Sequence, residues 1–221
     1  MPTSRPLAVL LDLDGTLVDT VPFILASVRH AFGGRGRCPT DAEWIAGIGT
    51  PLRVQLAAFT DGLADLEAVV ARYRAYQREH HDRETRAYTG ALEAVKALKE
   101  RHHPIAVVTG KLAEPAARTL AHVGLAPYVD VLVASDSCPR HKPDPEPVLL
   151  ALARVGRAPH EALFVGDSPI DVQAGNAAAV TSVAATWGAC TREALLVASP
   201  RHLLDDVAAL PELVARLASS A

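Results

Sequence analysis

Leu7-Ala8-Val9-Leu10-Leu11-Asp12-Leu13-Asp14-Gly15-Thr16 sets an unbroken apolar run directly against two carboxylates and a glycine. So short a run, without polar alternation, suits a strand covered on both faces, as strands of a parallel sheet are. Three more runs share the pattern: Ile105 to Val108 before Thr109, Val131 to Ala134 before Ser135, and Ala162 to Val165 before Gly166-Asp167. Val180 to Ala184 is a fifth, weaker one. Segments of helical spacing separate them, at Ala91 to Leu98, Ala113 to His122 and Pro147 to Val155. Strands alternating with helices predict an α/β fold, a doubly wound, Rossmann-like parallel sheet.

Between Val18 and about Arg86 the rhythm stops. No convincing strand occurs there, whereas Pro22 to Phe32, Pro51 to Phe59 and Leu63 to Glu79 carry helical periodicity, with Thr50-Pro51 a helix start. We therefore expect a small α-helical cap of four or five helices, residues 18–86, inserted after the first strand of a core formed by residues 1–17 and 87–221. Linkers are expected near Thr16 to Thr20 and Asp82 to Thr89.

Composition narrows the function classes. A net charge of -3 offers no uniform positive field, which argues against a nucleic-acid partner. Cys38, Cys138 and Cys190 are an odd set without metal spacing and read as free thiols of a reducing compartment. The opening residues lack a signal-type apolar segment, and no stretch approaches the roughly 20 apolar residues of a membrane span. A cytoplasmic protein with no membrane partner, monomer or homodimer, is the expectation. His80-His81 and His102-His103 lack metal spacing and read as exposed helix ends.

In open α/β sheets, ligands bind beyond the carboxyl ends of the strands, where strand order reverses. Asp12 and Asp14, Thr109-Gly110-Lys111, Lys142, and Asp167 with Asp171 would meet there. Such a group suits phosphoryl transfer. A carboxylate approaches a doubly charged phosphate only where cations cancel the repulsion, and Mg2+ on oxygen ligands does so. Asp12 and Asp167 could hold the metal, Lys142 could neutralise phosphate oxygens, and Thr109 with the Gly110 amide could add hydrogen bonds. Asp14, two residues beyond the nucleophile Asp12, could serve as general acid and then base. The blander alternatives are a capping pair at Asp167 and Asp171 for the helix from Ile170 to Ala178, caps at Asp19 and Thr20, and a solvated Lys111.

Asp12-Leu13-Asp14-Gly15-Thr16-Leu17-Val18-Asp19-Thr20 resembles the first motif of the haloacid dehalogenase superfamily, in its phosphatase branch. Thr109-Gly110-Lys111, His141-Lys142-Pro143-Asp144-Pro145 and Gly166-Asp167-Ser168-Pro169-Ile170-Asp171 resemble the second, third and fourth motifs, in order and across most of the chain. The resemblance implies Asp12 as nucleophile and metal ligand, Asp14 as acid/base ligating through its carbonyl, and Asp167 as metal ligand. It further implies Asp171 in the outer sphere of the metal or orienting Lys142, and Thr109 and Lys142 on the transferring group. Asp14 sets dehalogenases aside, and the absence of any lysine before Lys96 sets aside the lysine-dependent phosphonate hydrolases. Gly110 stands where relatives often carry Asn.

Gly47-Ile48-Gly49-Thr50-Pro51-Leu52-Arg53 is similar to the cap loop of phosphoglycolate phosphatases and related pyrophosphatases, which would bring Arg53 to a substrate carboxylate or second phosphate. The expected substrate is a small phosphorylated metabolite, phosphoglycolate-like first. A phosphosugar mutase, a pyrophosphatase, a phospho-receiver and a silent binding protein are the alternatives.

Overall fold

The computed structural model describes residues 6–219; the outermost residues of the expected core, 1–5 and 220–221, lie outside them. The chain opens with β1 (Ala8–Leu11), β2 (Val18–Asp19), α1 (Val21–Phe32), α2 (Asp41–Ile45), α3 (Leu52–Ala57), α4 (Gly62–Glu84) and β3 (Arg86–Ala87). It continues through α5 (Ala91–Glu100), β4 (Ile105–Val108), α6 (Ala113–His122), β5 (Val131–Val133), α7 (Glu146–Val155), β6 (Ala162–Gly166) and α8 (Pro169–Ala177). β7 (Thr181–Ala185), α9 (Arg192–Val197), β8 (His202–Leu204) and α10 (Leu210–Ser219) complete it.

Six strands form one sheet in the order β5-β4-β1-β6-β7-β8, every neighbouring pair parallel. The five apolar runs are five of these strands. Their alternate residues feed different cores: Val9, Leu11, Ile105, Val107, Leu163 and Val165 enter one apolar cluster, while Ala8, Leu10, Ala106, Val108, Ala162 and Phe164 enter the other. α5 and α10 supply the first cluster with Val95, Leu98, Leu213 and Val214, and α7 and α8 supply the second with Val148, Leu152 and Ala174. Burial on both faces explains why these strands read as unbroken apolar runs. The chain steps from β1 outward to β4 and β5, then returns to β6 on β1's other side, so order reverses at β1. A crevice opens there, beyond its carboxyl end.

α1 to α4 pack around a separate cluster of Val28, Ala31, Phe32, Trp44, Leu56, Val69, Val70 and Tyr73. α2 escaped the periodicity because it is five residues long; its capping box, Thr40 with Glu43, is the local signal for it. α4 continues past the expected end at Glu79 to Glu84 through a polar stretch off the apolar period. The two linkers pair with each other, Val18 against Ala87 and Asp19 against Arg86, as an antiparallel ribbon. β8 was also missed: His202-Leu203-Leu204 is a short edge strand with too few apolar residues to stand out. Cys38, Cys138 and Cys190 are free thiols. No helix among the described residues is long and apolar enough to cross a membrane.

Candidate active site

Asp12 is the first residue past β1, and its amide donates to the Val165 carbonyl at 2.9 Å, which ties the strand end to β6. The carboxylate is buried, and its Oδ1 accepts from Lys142 Nζ at 2.8 Å. The same ammonium donates to Asp171 Oδ1 at 2.6 Å and to the Val108 carbonyl at 3.3 Å. Lys142, remote in sequence from either acid, thus bridges them. Asp171 also takes the first-turn capping place expected of it, its Oδ2 accepting from the Ser168 amide at 3.1 Å and from the Ser168 hydroxyl, although the N-cap is Ser168 and not Asp167. Capping and site-building coincide in one side chain.

Asp167 lies in a cradle that only small neighbours permit. A Cβ on Gly15, whose φ is +83°, would come within 2.2 Å of Asp167 Oδ2, and one on Gly188 would reach its Cβ at 2.2 Å. The carboxylate accepts from the Thr16 hydroxyl at 3.0 Å and from the Ala189 amide at 2.7 Å. Trp187 Nε1 donates to the Thr16 carbonyl at 3.0 Å, closing the loop after β7 over the first motif. Thr16, Trp187 and Ala189 were not read from the sequence as site residues, since their roles depend on contacts between distant segments.

Asp14 Oδ1 accepts from the Thr20 hydroxyl at 2.6 Å and from Lys111 Nζ at 2.7 Å. Two expectations are corrected here. Thr20 occupies the N-cap position of α1 yet makes no side-chain cap bond; its hydroxyl is directed to Asp14 instead. Lys111 is no solvated residue, for its side chain is only 14 % exposed. The turn in which its amide donates to Thr109 Oγ1 at 3.2 Å folds it back toward the crevice. Thr109 is buried and anchored through its amide to the Val133 carbonyl at 2.9 Å.

One carboxylate oxygen from each of Asp12, Asp167 and Asp171 lies within 4.8 Å of the others. With all three carboxylates ionised, the single Lys142 ammonium would leave two negative charges uncompensated in a buried space. Burial, reinforced by Asp171, pushes Asp167 up to about 7 against the pull of the Ala189 amide and Thr16. Burial likewise raises Asp12 well above the carboxylate range, and Lys142 offsets this only in part. For Lys142 burial alone would favour the neutral amine, but Asp12 and Asp171 outweigh it and hold the ammonium above its ordinary value. An all-oxygen donor set short of two positive charges fits a hard divalent cation.

A cavity of about 590 Å³ opens from Asp12, Asp14 and Asp167 to the helical bundle, where Arg53, Tyr73, Arg74 and Arg78 line it. Arg53 forms a two-armed ion pair with Glu67. Above the site, the Gly47 to Pro51 loop lies directly on the core loops. A Cβ on Gly110 would sit 2.3 Å from the Gly49 carbonyl oxygen. A Cβ on Gly49, whose φ is +90°, would lie 3.0 Å from Ile170 Cδ1 and 3.3 Å from Ser168 Oγ. Gly110 thus allows backbone to meet backbone where an Asn side chain would stand.

One histidine of each pair differs from expectation, while His102 is exposed. His81 is buried: Nδ1 meets Asp82 Oδ1 at 2.7 Å and Nε2 meets Thr119 Oγ1 at 2.9 Å, joining α4 to α6. His103 is buried too, donating from Nδ1 to the Leu7 carbonyl at 2.9 Å. Helix ends that dock on another element bury their polar residues by hydrogen bonding them.

The family model described as "Haloacid dehalogenase-like hydrolase" matches residues 9–185. A pyrophosphatase PpaX of Bacillus pumilus is 34% identical over 207 residues, covering 93% of this chain and 95% of that protein. Phosphoglycolate phosphatase 1 of Pseudomonas aeruginosa is 33% identical over 214 residues, covering 93% of this chain and 78% of that protein. A hydrolase from Pseudomonas syringae shares the fold with a TM-score of 0.85 at 22% identity, covering 95% of this chain and 98% of the other.

Proposed function

The chain belongs to the haloacid dehalogenase-like hydrolase family, and on that premise we propose that it is a Mg2+-dependent phosphatase of small phosphorylated metabolites, working through an aspartyl phosphate on Asp12. The observation that carries this reading is the Lys142 ammonium bridging Asp12 and Asp171 beside a third buried carboxylate, Asp167. Asp12, Asp167, Asp171 and the Asp14 carbonyl would hold the ion, which supplies charge neutralisation to an incoming phosphate.

The chain's own groups divide the remaining work. Asp12 forms a bond to phosphorus while the bond to the leaving oxygen breaks, and Lys142 with Thr109 and the Gly110 amide takes up the charge of the phosphoryl oxygens. Asp14 gives a proton to the leaving oxygen. It then removes one from the water that attacks the acyl phosphate, which frees Asp12 and releases inorganic phosphate. Lys111 and Thr20 hold Asp14 at the cavity. The helical insertion, residues 18–86, acts as a cap that excludes water from the acyl phosphate. Arg53 is offered to a substrate carboxylate or second phosphate, a role that requires it to leave Glu67.

Phosphoglycolate-like esters are the first choice, and pyrophosphate is the second because relatives of both names match at similar identity. The test is phosphate release from p-nitrophenyl phosphate, phosphoglycolate, pyrophosphate and hexose phosphates, with Mg2+ and with chelator. Wild type should require the metal, and Asp12→Asn should lose at least about 10³-fold in kcat. Undiminished turnover in Asp12→Asn would end this reading, and transfer of phosphate to a second substrate hydroxyl without net release would replace it with a mutase.

A further inference from the structure

Arg74, Gln77, Arg78 and His81 recur at helical spacing along α4, and all four line the cavity that reaches Asp12. Two of the four are already engaged. Gln77 Nε2 donates to Ser27 Oγ at 2.7 Å, and both ring nitrogens of His81 are taken by Asp82 and Thr119. Among the other cations of the lining, Arg53 is paired with Glu67 and Lys111 with Asp14. Arg74 and Arg78 make no ion pair among the described residues. The charge of Arg74 is felt by Glu67, yet Glu67 gives its carboxylate to Arg53. Glu114, also in the lining and exposed, pairs with neither arginine.

Arg29, Arg35, Arg118 and Arg192 each meet an aspartate, and Arg72, Arg101 and Arg154 donate to backbone carbonyls; the Arg74 and Arg78 side chains have neither kind of partner among the described residues. Two guanidinium groups one helical turn apart, Arg74 half-buried and Arg78 exposed, both on the cavity wall and without a protein carboxylate among the described residues, suit a planar or tetrahedral anion held bidentately.

We propose that Arg74 and Arg78 form a second anion subsite, so that the substrate is a phosphate compound bearing another anionic group, which is held on the α4 wall while its phosphoryl end meets Asp12. The proposal rests on the phosphatase reading for the identity of that first end. It adds α4 to the recognition of the second anion, beside any part Arg53 takes on leaving Glu67.

The test compares phosphoglycolate with 2-hydroxyethyl phosphate, which has the same chain length without the carboxylate. Wild type should prefer the carboxylate in kcat/KM. Arg74→Gln and Arg78→Gln should each reduce that preference by about 10- to 100-fold, the loss of a charge-assisted contact, mainly through KM. Arg192→Gln, outside the cavity lining, should retain the preference. The proposal is overturned if wild type has none or if the α4 variants leave the ratio unchanged. Calorimetric binding of both compounds to Asp12→Asn gives the same ratio without turnover. A protein that binds phosphoglycolate through α4 but hydrolyses nothing would therefore refute the phosphatase reading and uphold the subsite. Loss of selectivity in binding would do the reverse.

Discussion

Lys142 and Arg53 are both cations held by carboxylates, one at the end of the sheet and one on the helical bundle, and their surroundings differ in nearly every respect. The Lys142 side chain is 2% exposed and its partners Asp12 and Asp171 are 4% and 1% exposed. Arg53 is 45% exposed against 51% for Glu67. At the sheet end, charges were taken out of water and must remain matched, so each position is fixed by the others. On the bundle, water and salt screen the pair, which can exchange partners at little cost. A pre-organised reacting end faces a wall able to re-pair around different substrates.

Lys142→Met tests the sheet end most severely. It leaves Asp12 and Asp171 facing each other without their ammonium, and loss of one partner from a buried pair costs about 3–5 kcal/mol. For a chain of this size, thermal unfolding should fall by roughly 10 °C. Phosphate release should drop by at least about 10³-fold, since the transferring group loses its fixed cation. A melting point within a degree or two of wild type would erase the contrast between the two regions.

Gly110→Ala probes the seam where they touch. Gly110 lacks a left-handed φ, so alanine meets no backbone penalty and adds only its Cβ, 2.3 Å from the Gly49 carbonyl. Either the Gly47 to Pro51 loop lifts or the Thr109 loop withdraws, and displacement of about 1 Å near a reacting centre can cost up to about 10²-fold in rate. We expect kcat/KM lower by about 10- to 100-fold and faster proteolytic cleavage within residues 47–51. Unaltered kinetics together with unaltered cleavage would show that the loop does not need this approach.

The same contrast explains what could be read from the chain. Asp12 and Asp167 were legible because each ends an apolar run, and a buried carboxylate there demands partners. Lys142 was legible only in company with the other motifs. The Thr16 bond to Asp167, and the room that Gly15 and Gly188 leave for it, depend on segments that meet only after folding. Lys111 and Thr20 were misread because the local alternatives, a solvated first turn and a helix cap, are the usual uses of such residues at such positions. On α4, Arg74 and Arg78 belong to a polar helix whose sequence does not distinguish the face turned to the cavity from the face in water. The orientation of that helix comes from the packing of Val69, Val70 and Tyr73 in the bundle.

The smallest expected effect falls on the exposed pair. Arg53→Ala removes a two-armed contact to Glu67, yet both side chains are about half in solvent, where water and salt screen the pair and it contributes little. Thermal unfolding should therefore shift by no more than about 4 °C, less at high salt, and Glu67→Ala should match it. Equal, small shifts would mean that Arg53 is free, in energetic terms, to leave Glu67 for another anion. A loss as large as that of Lys142→Met would mean instead that the bundle is locked by charge in the way the sheet end is, and a wall so locked could not re-pair around substrate.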